Sequence, residues 1–256
     1  MNVINDGPIT HLKIQRPKKL NAFNAEMVQS LLGVCHQIEH QSESRVVILS
    51  GEGKAFSAGG DIAAWSGETP TNFGRHWVRD GHAAFDALAR LRQPVIAVLD
   101  GHALGGGLEL AACADYRIAE RQIKLGQPET GLGIIPGWSG TQRAVRRFGG
   151  SVVRQMALFG AVFEAEEACK LGLVDQVVDE GQGLAVALEI ANEILSRGSE
   201  ATELTKMLIN AAEGEETERV LEALAGTVAA ASPELAKRLE TFNQKRTNKK
   251  KKEDNS

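Results

Sequence analysis

The run Val95-Ile96-Ala97-Val98-Leu99, followed by Gly101-His102-Ala103-Leu104-Gly105-Gly106-Gly107-Leu108-Glu109-Leu110, decides how this chain is read. An unbroken apolar run after Pro94 has the length and composition of a strand buried on both faces, as parallel strands are. Three glycines then leave the backbone bare where a helix begins, and Glu109 falls in its first turn. Peptide N–H groups at a helix start favour negative charge, and an acid beside them adds a proton donor or acceptor. Further on, Gln127-Pro128-Glu129 brings a second carboxylate into an otherwise apolar and glycine-rich stretch, Leu125 to Pro136.

Upstream, Val46-Val47-Ile48-Leu49 repeats the apolar run, and Ala58-Gly59-Gly60-Asp61 follows it as the glycine triplet follows Val95 to Leu99. If the two strands are neighbours, the N–H groups of Gly60 and Gly106 converge on one oxygen. Each such donor in an oxyanion site stabilises developing charge by about 2.7–4 kcal/mol. The alternative is that the glycines only allow helix and strand to pack closely. Glu109 has a plain alternative too, as an acid favoured by the helix dipole. Glu129, in apolar surroundings, needs a partner or a raised pKa. Two carboxylates in one cavity with different environments make an acid and a base.

Elsewhere, Ile9 to Ile14 alternates as a half-exposed strand, and Pro17 to Asn24 is a polar connection. Met27, Leu31, Val34 or Cys35, and Ile38 define a helix from Ala25 to His40. Residues 53–71 read as one long functional loop, 73–91 as a helix, and 116–119 and 123–125 as strands. The repeating β, loop, α order predicts parallel strands with crossover helices. After Gly137 the pattern is helical over 141–148, 151–159, 165–171, 184–196, 201–212, 216–231 and 233–246. The expected organisation is a core over 1–195, a helical region over 196–246 that packs on a partner surface, and a disordered basic tail over 247–256.

The 256 residues are 43% hydrophobic and 24% charged, which supports a substantial core. A net charge of −4 argues against a dedicated nucleic-acid surface, and Lys249 to Lys252 read as a solvated tail. Three scattered cysteines, Cys35, Cys113 and Cys169, suggest neither a disulfide framework nor a zinc knuckle. With no signal-like start and no apolar run of ~20 residues, the expectation is a soluble cytoplasmic protein. Ser139 sits in Gly137-Trp138-Ser139-Gly140, which is not a nucleophile elbow, and no partnered histidine and acid are evident for it. Gly131-Leu132-Gly133 lacks the rest of a dinucleotide fingerprint. His36 and His40 share a helix face without a third metal ligand, so no metal is expected. Trp65 and Trp138 read as pocket wall or core.

At these residues the chain resembles the crotonase (enoyl-CoA hydratase/isomerase) superfamily, over about Ile9 to Phe242. The matching segments are Arg16-Pro17-Lys18-Lys19-Leu20-Asn21-Ala22, Ala55-Phe56-Ser57-Ala58-Gly59-Gly60-Asp61-Ile62, and Gly101 to Ala111. Gln127-Pro128-Glu129, with Gly133-Ile134-Ile135-Pro136-Gly137 and Gly140-Thr141-Gln142-Arg143, completes them. The resemblance implies an α/β fold, a spiral of ββα units whose C-terminal helices build trimers or dimers of trimers. It implies that the Gly60 and Gly106 N–H groups hold an acyl-CoA thioester oxygen. Glu109 and Glu129 occupy both acid/base positions found in hydratases: Glu109 would activate water, Glu129 would deliver the α-proton, and Gln127 would orient them. Lys18, Lys19, Ala22, Ala58, Asp61, Ile62, Gln127 and Trp138 fall at substrate-binding positions, and no cofactor is implied beyond the coenzyme A of the substrate.

Two departures stand out. Ala63-Ala64-Trp65 replaces a frequent lysine contact for coenzyme A, which leaves Lys18, Lys19 or the C-terminal lysines for the phosphates. The common Pro-Gly-x-Gly-Gly-Thr appears as Pro136-Gly137-Trp138-Ser139-Gly140-Thr141, and the Trp138 indole would shorten or reshape the acyl pocket. The rival expectations are a Δ3,Δ2-enoyl-CoA isomerase, which needs one of the two glutamates, and a non-catalytic RNA-binding relative using the lysine tail.

Overall fold

The computed structural model describes residues 1–217 together with Lys237 and Gln244. The chain divides into two compact units, Met1–Lys206 and Met207–Ser256. The helices expected over 216–231 and 233–246, and the tail over 247–256, lie outside the described residues save for these few positions.

The first unit is built from two sheets. One has six strands in the order β1 (Asn2–Asp6), β2 (Ile9–Ile14), β3 (Val46–Gly51), β5 (Val95–Leu99), β7 (Tyr116–Glu120) and β10 (Gln176–Val178). The other has four, β4 (Ala55–Ser57), β6 (His102–Leu104), β8 (Lys124–Gly126) and β9 (Val162–Glu164). From β2 to β10 the large sheet is parallel, and β1 joins it antiparallel. Three times in succession the chain runs along the large sheet and then along the small one, as β3–β4, β5–β6 and β7–β8. This is the repeated unit of the expected spiral.

The apolar runs follow from burial on both faces. In β3 and β5, Val46, Ile48, Ile96 and Val98 pack with Ala187 and Ala191 of α9 (Gly183–Leu195), while Val47, Leu49, Val95 and Ala97 face the main core. That core also takes α1 (Ala25–Glu39) and α4 (Arg79–Ala89). Asn24 caps α1 by accepting the Met27 N–H, and Met27, Val28, Leu31, Cys35 and Ile38 form its buried stripe. β3 and β5 are neighbours in register Val47 with Val95, which is the adjacency that the convergence of the two glycine loops requires.

Several expectations need correction. Residues 53–71 are not one loop: they hold β4 and the short helices α2 (Ile62–Trp65) and α3 (Pro70–Asn72). The helix expected over 73–91 opens with a π-type turn, Phe73–Val78, before α4 begins. The region after Gly137 contains β9 and β10 among its helices α6 (Arg143–Phe148), α7 (Gly150–Phe159), α8 (Ala165–Lys170), α9 and α10 (Ser199–Ala212). β9 and β10 span three residues each, too few for their periodicity to stand out from the flanking helices.

Candidate active site

β4 and β6 are hydrogen-bonded neighbours, so the loops leaving them lie against each other. A Cβ on Gly59 would sit 2.8 Å from the Gly106 nitrogen. The triplet that opens α5 (Gly106–Ala111) divides its tasks. Gly105, at φ +54° and ψ −127°, adopts a backbone that favours glycine. Gly106 lines a cavity, and a Cβ on Gly107 would lie 2.0 Å from the Ser57 carbonyl oxygen. Close packing and an open backbone at the cavity are thus both present, at successive residues. Among the described residues neither the Gly60 nor the Gly106 N–H finds a protein acceptor, and both residues line the same cavity.

Glu109 and Glu129 face that cavity from α5 and from a 3-10 turn at Glu129–Leu132. Glu109 is anchored by one oxygen: Oε1 accepts the N–H of Trp138 at 2.7 Å and of Gly140 at 2.6 Å. Burial pushes its pKa up to about 8, and the neighbouring Glu129 adds to the rise, against the lowering by the two N–H groups and Arg143. Both Glu129 oxygens are buried without a hydrogen-bond partner among the described residues, and burial raises this carboxyl to about 7. Two neighbouring carboxyls raised toward neutrality titrate as a pair. Glu109 is raised further than Glu129 despite its two N–H donors, because it is more deeply buried and faces the second carboxyl.

These raised values carry a stability cost with a definite sign. In the folded chain both groups keep protons that the unfolded chain has already lost, so stability declines as pH rises from about 4.5 through 7–8. We expect Glu129→Gln to be more stable than wild type at pH 9 by roughly 3 kcal/mol, at ~1.4 kcal/mol per pKa unit, and the difference to shrink at pH 5. Urea unfolding at the two pH values checks this, and equal differences at both would refute it.

The cavity measures about 620 Å³ counted out to its open mouth. Its wall is aromatic and aliphatic: Trp65, Phe73, Trp77, Leu132, Ile135 and Trp138. Trp138 is the most constrained of these. Its Nε1–H donates to the Trp77 carbonyl at 3.1 Å, and its ring lies 5.0 Å from both Trp77 and Phe85. A Cβ on Gly81 of α4 would fall 1.9 Å from that Nε1, so the helix carries glycine where the indole is seated.

Of the residues expected at substrate positions, Ala58, Gly60, Ile62, Gly106, Glu109, Glu129 and Trp138 line the cavity. Lys18, Lys19, Ala22, Asp61 and Gln127 are not on its wall. Asp61 pairs with Arg16 at 2.7 Å and caps α2 through the Ala63 N–H. Gln127 touches neither glutamate by a hydrogen bond. Its Nε2 donates to the Gly140 carbonyl at 3.1 Å, so it steadies the residue whose N–H holds Glu109. Sequence reading missed Phe73, Trp77, Leu132 and Ile135. It also found no histidine for Ser139, yet Ser139 Oγ lies 3.1 Å from His82 Nδ1. Neither residue lines the cavity. Asp86, one turn along from His82, is engaged by Arg143 and Arg90, so the arrangement is not a nucleophilic triad. Among the described residues no group of three or more metal-ligating side chains is assembled, and no helix is long and apolar enough to cross a membrane.

The profile of the enoyl-CoA hydratase/isomerase family matches residues 5–251. The chain belongs to this family. Curated members include the short-chain-enoyl-CoA hydratase of Clostridium acetobutylicum, 42% identical over 82% of this chain and 81% of that protein. The crotonyl-CoA hydratase of Syntrophomonas wolfei is 38% identical over 81% and 79%. Among solved structures, an enoyl-CoA hydratase from Bacillus anthracis superposes with a TM-score of 0.79 at 32% identity, covering 95% of this chain and 96% of that one. Pseudomonas aeruginosa DspI gives 0.81 at 29% identity, over 95% and 94%. In this chain the ββα repeat sets the two glycine loops side by side.

Proposed function

We propose that this protein hydrates short 2-enoyl-CoA thioesters reversibly, by syn addition of water, to 3-hydroxyacyl-CoA. The observation that carries the reading is the pair of buried carboxyls on one cavity, one anchored by two N–H groups and the other free of donors, beside the unengaged N–H groups of Gly60 and Gly106. The thioester oxygen sits between those two N–H groups. The Glu109 carboxylate takes a proton from water as its oxygen bonds to the β-carbon. The electron pair of the C=C bond moves into an enolate whose oxygen the glycine donors stabilise. Glu129, as the acid, gives its proton to the α-carbon on the same face, and solvent exchange resets the two carboxyls. No cofactor is required beyond the coenzyme A of the substrate.

A short acyl group is favoured because Trp138 is wedged against Gly81 and fixed by its Nε1–H, so the wall cannot retreat without moving α4. The decisive experiment follows loss of the enoyl-thioester absorbance across 2-enoyl-CoAs of increasing chain length. Hydration of the four-carbon substrate with kcat/KM falling by an order of magnitude or more toward long chains is the expected result. Isomerisation of 3-enoyl-CoA without hydration would overturn it. Self-association into trimers or dimers of trimers fits the exposure of Leu158 and Phe159 on α7, and light scattering that gave a monomer would reject that part.

A further inference from the structure

Ser139 stands between the two residues whose N–H groups hold Glu109, and its own backbone is the unusual one. Its φ is +79°, in the left-handed region that disfavours side chains. A positive φ between flanking peptides turns successive N–H groups toward one point, the nest arrangement that cradles an anion. Here the point is Glu109 Oε1, with Trp138 and Gly140 on either side of Ser139. A serine in that conformation persists only where its surroundings impose it. Those surroundings come from α4, which engages the segment at three places: Trp138 seats over Gly81, Ser139 Oγ meets His82 Nδ1 at 3.1 Å, and Arg143 Nη2 donates to Asp86 Oδ1 at 2.6 Å.

We infer that His82 is a positioning residue for the acid/base chemistry: through its hydrogen bond to Ser139 it imposes the left-handed turn that aims the Trp138 and Gly140 N–H groups at Glu109. The inference rests on the role given to Glu109 above. Burial keeps the His82 pKa below its usual value, with Asp86 raising and Arg143 lowering it, so the ring is neutral near pH 7 and pairs with the hydroxyl in either tautomer. Glu109 faces Glu129 from the 3-10 turn and Arg143 from α6, besides its two N–H donors. Losing the donors removes the influence that favours its anion, so the carboxyl would hold its proton to higher pH.

The test compares His82→Ala with the double variant His82→Ala/Ser139→Gly, using Glu109→Gln as reference and 2-butenoyl-CoA as substrate. H82A is expected to lose about tenfold or more in kcat, as misplaced catalytic groups do, with KM little changed. The acid limb of its pH–rate profile moves upward. Glycine takes a positive φ without support, so the added Ser139→Gly substitution recovers most of the lost kcat and returns the limb toward wild type. A merely stabilising role for His82 predicts neither the moved limb nor the rescue. An H82A enzyme with wild-type kcat and limb, or a double variant that unfolds at the wild-type temperature yet is no faster than H82A, overturns the inference. An inactive E109Q beside a wild-type-like H82A leaves the hydratase reading standing, whereas a fully active E109Q removes the base role itself.

Discussion

Replacing Glu109 or Glu129 by glutamine lowers kcat for hydration by ~100-fold or more while acyl-CoA binding and folding persist. The two substitutions reach that loss differently. In Glu109→Gln the amide oxygen can still accept the Trp138 and Gly140 N–H groups, so the side chain stays in place and only proton-accepting capacity is lost. Both Glu129 oxygens lack a hydrogen-bond partner among the described residues, so Glu129→Gln breaks no hydrogen bond to a neighbouring residue and removes the proton donor. Solvent deuterium uptake at the α-carbon of a saturated acyl-CoA separates the roles. It should vanish in Glu129→Gln and survive better in Glu109→Gln. Near wild-type turnover in either variant, or the reverse pattern of exchange, would show the assignment to be wrong.

Gly106→Pro is expected to abolish activity, by ~100-fold or more from the lost donor alone. Proline has no N–H to offer the thioester oxygen, and its ring must fit where Gly59 and Trp138 already crowd the backbone. Gly106→Ala keeps the N–H, and Gly106 is not among the positive-φ glycines, so it should be milder. It is not free of cost. The added Cβ would lie 3.0 Å from Trp138 Cε3 and 3.2 Å from the Gly59 Cα, so ring or loop must shift by a few tenths of an ångström. Isotope-edited spectroscopy of a bound enoyl-CoA provides the direct reading. The thioester C=O stretch falls in frequency in wild type and relaxes back in Gly106→Pro. An unshifted band in the ligand-saturated wild type would exclude the oxyanion site.

Both carboxylates and both glycine loops were readable in the sequence because each sits next to an unambiguous signal, a fully apolar strand or an isolated acid in an apolar stretch. Of the small sheet only β8 was readable, as the strand expected at 123–125, since β4, β6 and β9 span three residues each and resemble turns. β1 was missed because Asn2–Asp6 is a polar edge strand with three exposed positions. His82 and Ser139 lie 57 residues apart, and nothing local pairs the two. The available clue was Gly81 inside an otherwise good helix, where glycine costs about 1 kcal/mol relative to alanine and so needs a reason. That reason, the indole of Trp138, comes from a distant segment. Gln127 was expected to orient the glutamates, and its hydrogen bond goes to Gly140, whose N–H holds Glu109.

Trp138 belongs to two systems at once, since its ring forms part of the cavity wall and its peptide N–H holds Glu109. Substrate range and turnover are therefore not independently adjustable at this position. A smaller side chain that widened the cavity would also release the turn that aims Glu109, and a lineage selecting for longer substrates there would pass through slower enzymes. Leu132 and Ile135 line the same cavity with half or more of their surface exposed, and neither is one of the two residues whose N–H groups hold Glu109. They are the positions at which this site can diversify its substrates while its rate is preserved.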